Sequence, residues 1–217
     1  MGIKIIVDFQ DVIYPTSFSL YKYFTMHGMD FASLMTLEPG VTLEKIESRP
    51  VKNLLPCIVK SDINKKELNY IMSKIHTEFL KSNYFDVSLT NPMIKKIFDS
   101  NLFKANIMFD EITIIYGYNY PEEKENIENY LFSIKNAKTK LLSYKRNGDS
   151  KQLSNIIKKL DWNLYITDNR KVVKEIIEDP DYKIIDKEFY ISGRKYSKLA
   201  SAEEILINEK GGKVSYY

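Results

Sequence analysis

Cysteine is nearly absent. Cys57 is the single one in 217 residues, which rules out an intrachain disulfide and any structural zinc site built from several cysteines. A reducing compartment is the simplest home for such a chain. Histidine is almost as scarce, and neither His27 nor His76 has a partner at metal-ligand spacing. Eight glycines occur, with one adjacent pair at Gly211-Gly212, so there is no glycine-rich phosphate loop. No serine sits in a Gly-x-Ser-x-Gly elbow, which argues against a serine hydrolase. No apolar run approaches the length of a membrane span, and the N-terminus lacks the apolar stretch of a signal peptide. Gly2 is followed by Ile6 where a myristoylation motif places Ser or Thr. The expectation is a cytoplasmic protein without a membrane partner. Charge of one sign is lacking too: 32 basic against 29 acidic residues leave +3. That balance gives no strong nucleic-acid signal, and the lysine doublets at 65-66, 95-96 and 158-159 read as solvated helix faces.

What is present is concentrated at the ends of short apolar runs. In Lys4–Thr16 (KIIVDFQDVIYPT) the β-branched run Ile5, Ile6, Val7 stops on Asp8, and far downstream Leu164-Tyr-Ile-Thr167 stops on Asp168-Asn169. Buried parallel strands deliver functional groups at their C-terminal ends, where ligands collect in open α/β sheets. Two carboxylates facing one cleft in this way suit Mg²⁺.

After Asp110 the chain alternates regularly. Ile112–Tyr116 reads as a strand. Pro121–Ile134 reads as a helix with Glu122 and Glu123 in its first turn, where the dipole favours acids. Lys140–Tyr144 is a strand, Ser150 caps a helix carrying Leu153, Ile156, Ile157 and Leu160, and Asn163–Thr167 is a strand before a helix with Val172, Val173, Ile176 and Ile177. Tyr182–Asp186 reads as a final core strand, and Ser201–Glu204 as a capping box opening a last helix. Earlier, a helical pattern runs through Leu20, Tyr23 and Phe24, Asp62 caps a helix with Leu68, Ile71, Met72, Ile75 and Phe79, and Asn91-Pro92 opens another. Residues 30–60 show no sustained period. The fold class expected is α/β: a Rossmann-like parallel sheet wrapped by helices, its core formed by residues 1–14 with 105–217 and a mainly helical cap or insert at 15–104.

This layout resembles the haloacid dehalogenase-like (HAD) phosphohydrolases, and within them the small cap-bearing nucleotidases. In that family the first strand ends D-x-D-x-[TV], a second strand ends in Ser or Thr, a Lys follows near a helix start, and a fourth strand ends in Asp with another acid nearby. The corresponding stretches are Asp8-Phe9-Gln10-Asp11-Val12, Ile114-Ile115-Tyr116-Gly117, Asp149-Ser150-Lys151 and Ile166-Thr167-Asp168-Asn169. The resemblance implies that Asp8 is the carboxylate nucleophile, that Asp8, Asp168 and Asn169 hold Mg²⁺, and that Tyr116, Gly117 and Lys151 meet the phosphate of a phosphorylated small molecule or nucleotide.

The sequence departs from the pattern at the proton-transfer position. Gln10 replaces the acid that protonates the leaving oxygen, and an amide exchanges no proton at neutral pH, a loss worth about 10²–10⁴ in rate. Asp11 needs an irregular loop to face the same substrate, because neighbouring strand residues point to opposite sides. Tyr116 replaces a small hydroxyl. The reading is a HAD-like domain with a degenerate site, a weakly active or non-catalytic module for phosphate, Mg²⁺ or a protein partner. The alternatives are an active Mg²⁺-dependent nucleotidase-like phosphohydrolase and a PIN/NYN-type nuclease in which Asp8, Asp110 and Asp168 converge on metal.

Overall fold

The structure is a computed structural model that describes residues 2–27, 65–91, 109–134, 139–149, 151–191 and 207–216. In chain order its elements are β1 (Ile3–Asp8), α1 (Thr16–His27), α2 (Lys65–Lys81), a 3₁₀ turn (Val87–Leu89), β2 (Phe109–Tyr118), α3 (Pro121–Ile134), β3 (Thr139–Lys145), α4 (Gln152–Lys159), β4 (Leu164–Thr167), α5 (Arg170–Ile177), β5 (Glu188–Ile191) and β6 (Lys213–Tyr216). The six strands form one sheet in the order β3-β2-β1-β4-β5-β6, every pairing parallel.

A continuous apolar run such as Ile5-Ile6-Val7 makes sense only where both faces of a strand are covered. Ile5 and Val7 face one core with Ile112, Ile114 and Tyr116, roofed by Ile127, Tyr130 and Leu131 of α3. Ile6 faces a second core with Ile115 and Tyr165, roofed by Ile157 of α4 and by Val172, Val173, Ile176 and Ile177 of α5. Each such side chain contributes about 1.5–3 kcal/mol on burial. β1 is the central strand, and the winding reverses across it: β2 and β3 extend to one side, β4, β5 and β6 to the other. That reversal opens a crevice at the C-terminal ends of the strands.

Most expected elements appear where the periodicity places them, with two differences. Tyr182–Asp186 is not a strand; the ladder partner of β4 is Glu188–Ile191. Ile184 is fully buried, but its neighbour Ile185 is 61% exposed and Asp186 adopts a left-handed φ of 59°, which a continuing strand does not allow. The apolar run therefore packs as a turn, and the next run supplies the strand. The second difference is β6, a short edge strand not anticipated in the tail. Ser150, the capping box at 201–204, Asp62, the helix from Pro92 and residues 30–60 lie outside the described residues. Among the described residues no helix is long and apolar enough to cross a membrane.

Helices α1 and α2 pack through Leu20, Ile75, Phe79 and Leu80. Their link to the sheet is aromatic: Phe79 stacks on Tyr84 at 3.8 Å between centroids, and Tyr84 and Phe85 pack against Tyr14. The Tyr14 hydroxyl donates to the Tyr84 carbonyl at 3.0 Å and accepts from Asp86 N–H and the Ser19 hydroxyl, both at 3.1 Å. Tyr14→Phe keeps the ring packing but strands these polar groups, at a cost of about 2 kcal/mol. A lower urea midpoint at unchanged m-value is the expected result.

Candidate active site

β1 hands Asp8 to the crevice, and the chain then turns sharply. The Phe9 carbonyl accepts from Ile13 and Tyr14 N–H, both at 3.1 Å, and Asp11 N–H donates to the Tyr14 carbonyl at 2.8 Å. Asp11 itself sits at φ 59°, a region a short carboxylate residue tolerates better than most. This is the irregular loop that Asp11 needs, and it carries both Gln10 and Asp11 over the end of the sheet. A cleft of about 450 Å³ results, lined by Asp8, Gln10, Asp11, Ile115, Tyr144, Arg146, Leu153, Asp168, Asn169, Arg170 and Lys171.

Asp8 is only 6% exposed. The Tyr165 hydroxyl donates to both of its oxygens, at 3.0 and 2.9 Å, and the Thr167 hydroxyl donates to Oδ2 at 2.5 Å. Burial nevertheless pushes the carboxyl up from 3.8 to about 7, against the lowering effect of the hydroxyls of Thr167 and Tyr165. Burial also raises Tyr144 and Tyr165, and the Asp8 charge beside them adds to it. The Thr167 hydroxyl works in both directions, since its Oγ1 also accepts from Asn169 N–H at 2.9 Å. Asn169 in turn caps α5, its side-chain oxygen accepting from Val172 N–H at 3.3 Å.

Of the seven site residues expected from the sequence, the cleft is lined by Asp8, Gln10, Asp168 and Asn169. Gln10 is pinned, its Nε2 donating to the Gly117 carbonyl at 2.8 Å. Tyr116 does not enter the cleft; it lies in the core beneath α3, with its hydroxyl bonded to Glu128. Strand alternation explains this: Ile115, paired with Asp8, faces the cleft, and Tyr116 must face away. An apolar side chain thus occupies the place where a phosphate-binding hydroxyl was sought. Gly117 contributes backbone, and a Cβ there would stand 2.8 Å from Arg146 Nε and from Tyr144 Cζ. Lys151 is exposed in the turn before α4, its N–H bonded to Asp149, and it does not line the cleft.

Sequence reasoning missed Tyr144, Arg146, Arg170 and Lys171. The signal was available for the first two, because both follow the apolar part of an expected strand, but no motif pointed at them. Asp110 sits near the start of β2, while Asp8 and Asp168 stand at strand ends on the opposite edge of the sheet. The backbone thus places Asp110 at the other end of its strand from Asp8 and Asp168, which gives the nuclease alternative no support. Among the described residues no group of three or more His, Cys, Asp or Glu is placed for a metal. Two carboxylates in one polar cleft still fit Mg²⁺, which keeps several waters and takes one or two protein carboxylates.

The raised Asp8 makes stability depend on pH. Between about pH 4 and 7 the unfolded carboxyl is ionised while the folded one keeps its proton. Stability attributable to this group is therefore full below pH 4, falls as pH rises, and is lost above pH 7. Asp8→Asn removes that dependence. In urea unfolding without divalent metal, the variant is expected to exceed the parent protein by about 2–4 kcal/mol at pH 8 and to show no gain at pH 4. Equal gains at both values would contradict the buried-carboxyl account.

No protein-family model and no curated protein matches the sequence. Solved structures do match in backbone. A haloacid dehalogenase-like hydrolase from Streptococcus pneumoniae superposes with a TM-score of 0.56 at 10% identity, covering 100% of this chain and 94% of that one. A haloacid dehalogenase-like hydrolase from Bacteroides fragilis gives 0.52 at 13%, covering 100% and 98%. A HAD-hydrolase from Bacillus subtilis, in a form bound to magnesium, gives 0.51 at 9%, covering 96% and 98%. Sheet order, the carboxylate at the end of β1 and these superpositions agree that the chain has the fold of the haloacid dehalogenase-like hydrolases.

Proposed function

We propose that this chain binds a phosphorylated small molecule or nucleotide, together with Mg²⁺, in the cleft above β1 and turns it over slowly or not at all. The observation that carries this reading is the state of the two groups a phosphotransfer needs. Gln10 is an amide fixed to the Gly117 carbonyl, so it supplies no proton. Asp8 is buried with both oxygens engaged by Tyr165 and Thr167. A carboxylate whose two oxygens already accept hydroxyl hydrogen bonds is a weaker nucleophile than a free one. Binding needs less: cations from Arg146, Arg170 and Lys171 and carboxylates from Asp8 and Asp168 share the space. Asp8 and Asp168 would hold the magnesium, with Asn169 at the rim, and the ion would neutralise phosphoryl oxygens. Residues 15–104 act in this reading as a helical cap over the cleft or as the face for a protein partner, in a cytoplasmic setting.

One observation favours a second reading, a working phosphohydrolase. The turn after β1 brings Asp11 to the same cleft, and a carboxyl there is within the group of residues able to serve the leaving oxygen. Turnover of p-nitrophenyl phosphate and a nucleotide panel with Mg²⁺ separates the two. The first reading expects hydrolysis near background in the parent protein, together with measurable Mg²⁺ and phosphate binding by calorimetry. Brisk Mg²⁺-dependent hydrolysis that Asp11→Asn lowers about 10²–10⁴-fold, and that Asp8→Asn abolishes, would establish the second instead.

A further inference from the structure

We propose that Arg146, oriented by the buried Glu123, is the group that grips the anionic end of the ligand in this cleft; the assignment rests on the phosphate-binding reading above. Arg146 leaves the end of β3 with its N–H bonded to the Tyr118 carbonyl at 2.8 Å, so its backbone is fixed to β2. Its Nη1 donates to Glu123 Oε1 at 3.2 Å. Glu123 is only 2% exposed, and its other oxygen accepts Asn119 N–H at 2.7 Å. A carboxylate that deep requires a cation, and its place in the first turn of α3 adds the favourable helix dipole. The pair therefore holds the guanidinium at one place on the cleft wall before any ligand arrives.

Gly117 completes the arrangement. Any Cβ there would collide with Arg146 Nε and with the Tyr144 ring, so a glycine at the end of β2 is what lets both side chains lie over the strand and reach the cleft. A planar guanidinium matches two phosphoryl oxygens at once, which a lysine ammonium does not. Arg170 and Lys171 line the cleft from the β4 side while Arg146 lines it from the β3 side, with β1 and Asp8 between them. Lys151, the cation the family motif pointed to, is exposed outside that space.

Inorganic phosphate titrated calorimetrically into the Mg²⁺-equilibrated protein tests the assignment, with circular dichroism confirming the fold of each variant. Arg146→Ala is expected to bind about 10- to 100-fold more weakly, the range for one charge-assisted contact. Arg146→Lys keeps a cation beside Glu123 and so the fold, and is expected to bind about 10-fold more weakly through loss of the planar fork. Glu123→Gln leaves Arg146 intact, so a several-fold loss of affinity in the folded variant identifies Glu123 as a positioning residue. Affinity equal to the parent protein in Arg146→Lys and Arg146→Ala, or a loss found instead in Lys151→Ala, overturns the assignment while leaving the phosphate-binding reading in place. A parent protein that binds no phosphate removes both.

Discussion

One buried carboxylate ties this structure together. Asp8 lies at the end of the central strand, where the sheet's winding reverses, and it accepts hydrogen bonds from two residues of the neighbouring strand, Tyr165 and Thr167. The β1–β4 pairing is short, with Ile5, Ile6 and Val7 opposite Leu164, Tyr165 and Ile166. The hydroxyl contacts extend it by one more level, in side chains rather than backbone. They also pass the constraint onward: Thr167 accepts Asn169 N–H, and Asn169 caps α5. The start of α5, and with it Asp168, Arg170 and Lys171, is thereby set relative to Asp8 by a chain of hydrogen bonds through a buried threonine. A buried polar network with every member engaged fixes one geometry, because any partly satisfied alternative is costly.

The same contacts that fix the position of Asp8 also act on its charge. Hydroxyl donors stabilise the anion, while burial disfavours it more strongly, and the net result is a carboxyl poised near neutrality. The cation side of the cleft is built in the opposite sense. Arg146 is always charged and is paired with a glutamate that is itself sequestered from water. The two sides of the cleft therefore differ: the β3 side carries a fixed guanidinium, and the end of β1 carries a carboxyl whose charge in the metal-free cleft depends on pH.

The parts legible in the sequence are those governed by periodicity and by strand ends. Asp8 and Asp168, 160 positions apart, line one cleft, as their places after two apolar runs implied. β2, β3, α3 and α5 were readable because each has a covered face and a start or stop residue of its own. The Tyr182–Asp186 run failed because apolar content alone does not distinguish a ladder from a packed turn, and only the left-handed Asp186 breaks it. Tyr116 falls one residue out of phase, since a motif aligned by position ignores which face of the strand the residue occupies. Arg146 stands just past an expected strand, but its partner lies 23 residues earlier, buried on another element, and no motif joins the two.

The replacement of an acid by Gln10 is embedded in its surroundings. The amide donates to the Gly117 carbonyl, the same residue whose missing side chain makes room for Arg146 and Tyr144. An aspartate at that position is one methylene shorter and, when ionised, accepts only, so the Gly117 carbonyl would lose its donor and the turn after β1 would lose an anchor to β2. Gln10, Gly117 and Arg146 thus meet at the junction of β1, β2 and β3. Gln10 anchors the turn after β1 to β2, and Gly117 leaves the space that Arg146 and Tyr144 occupy.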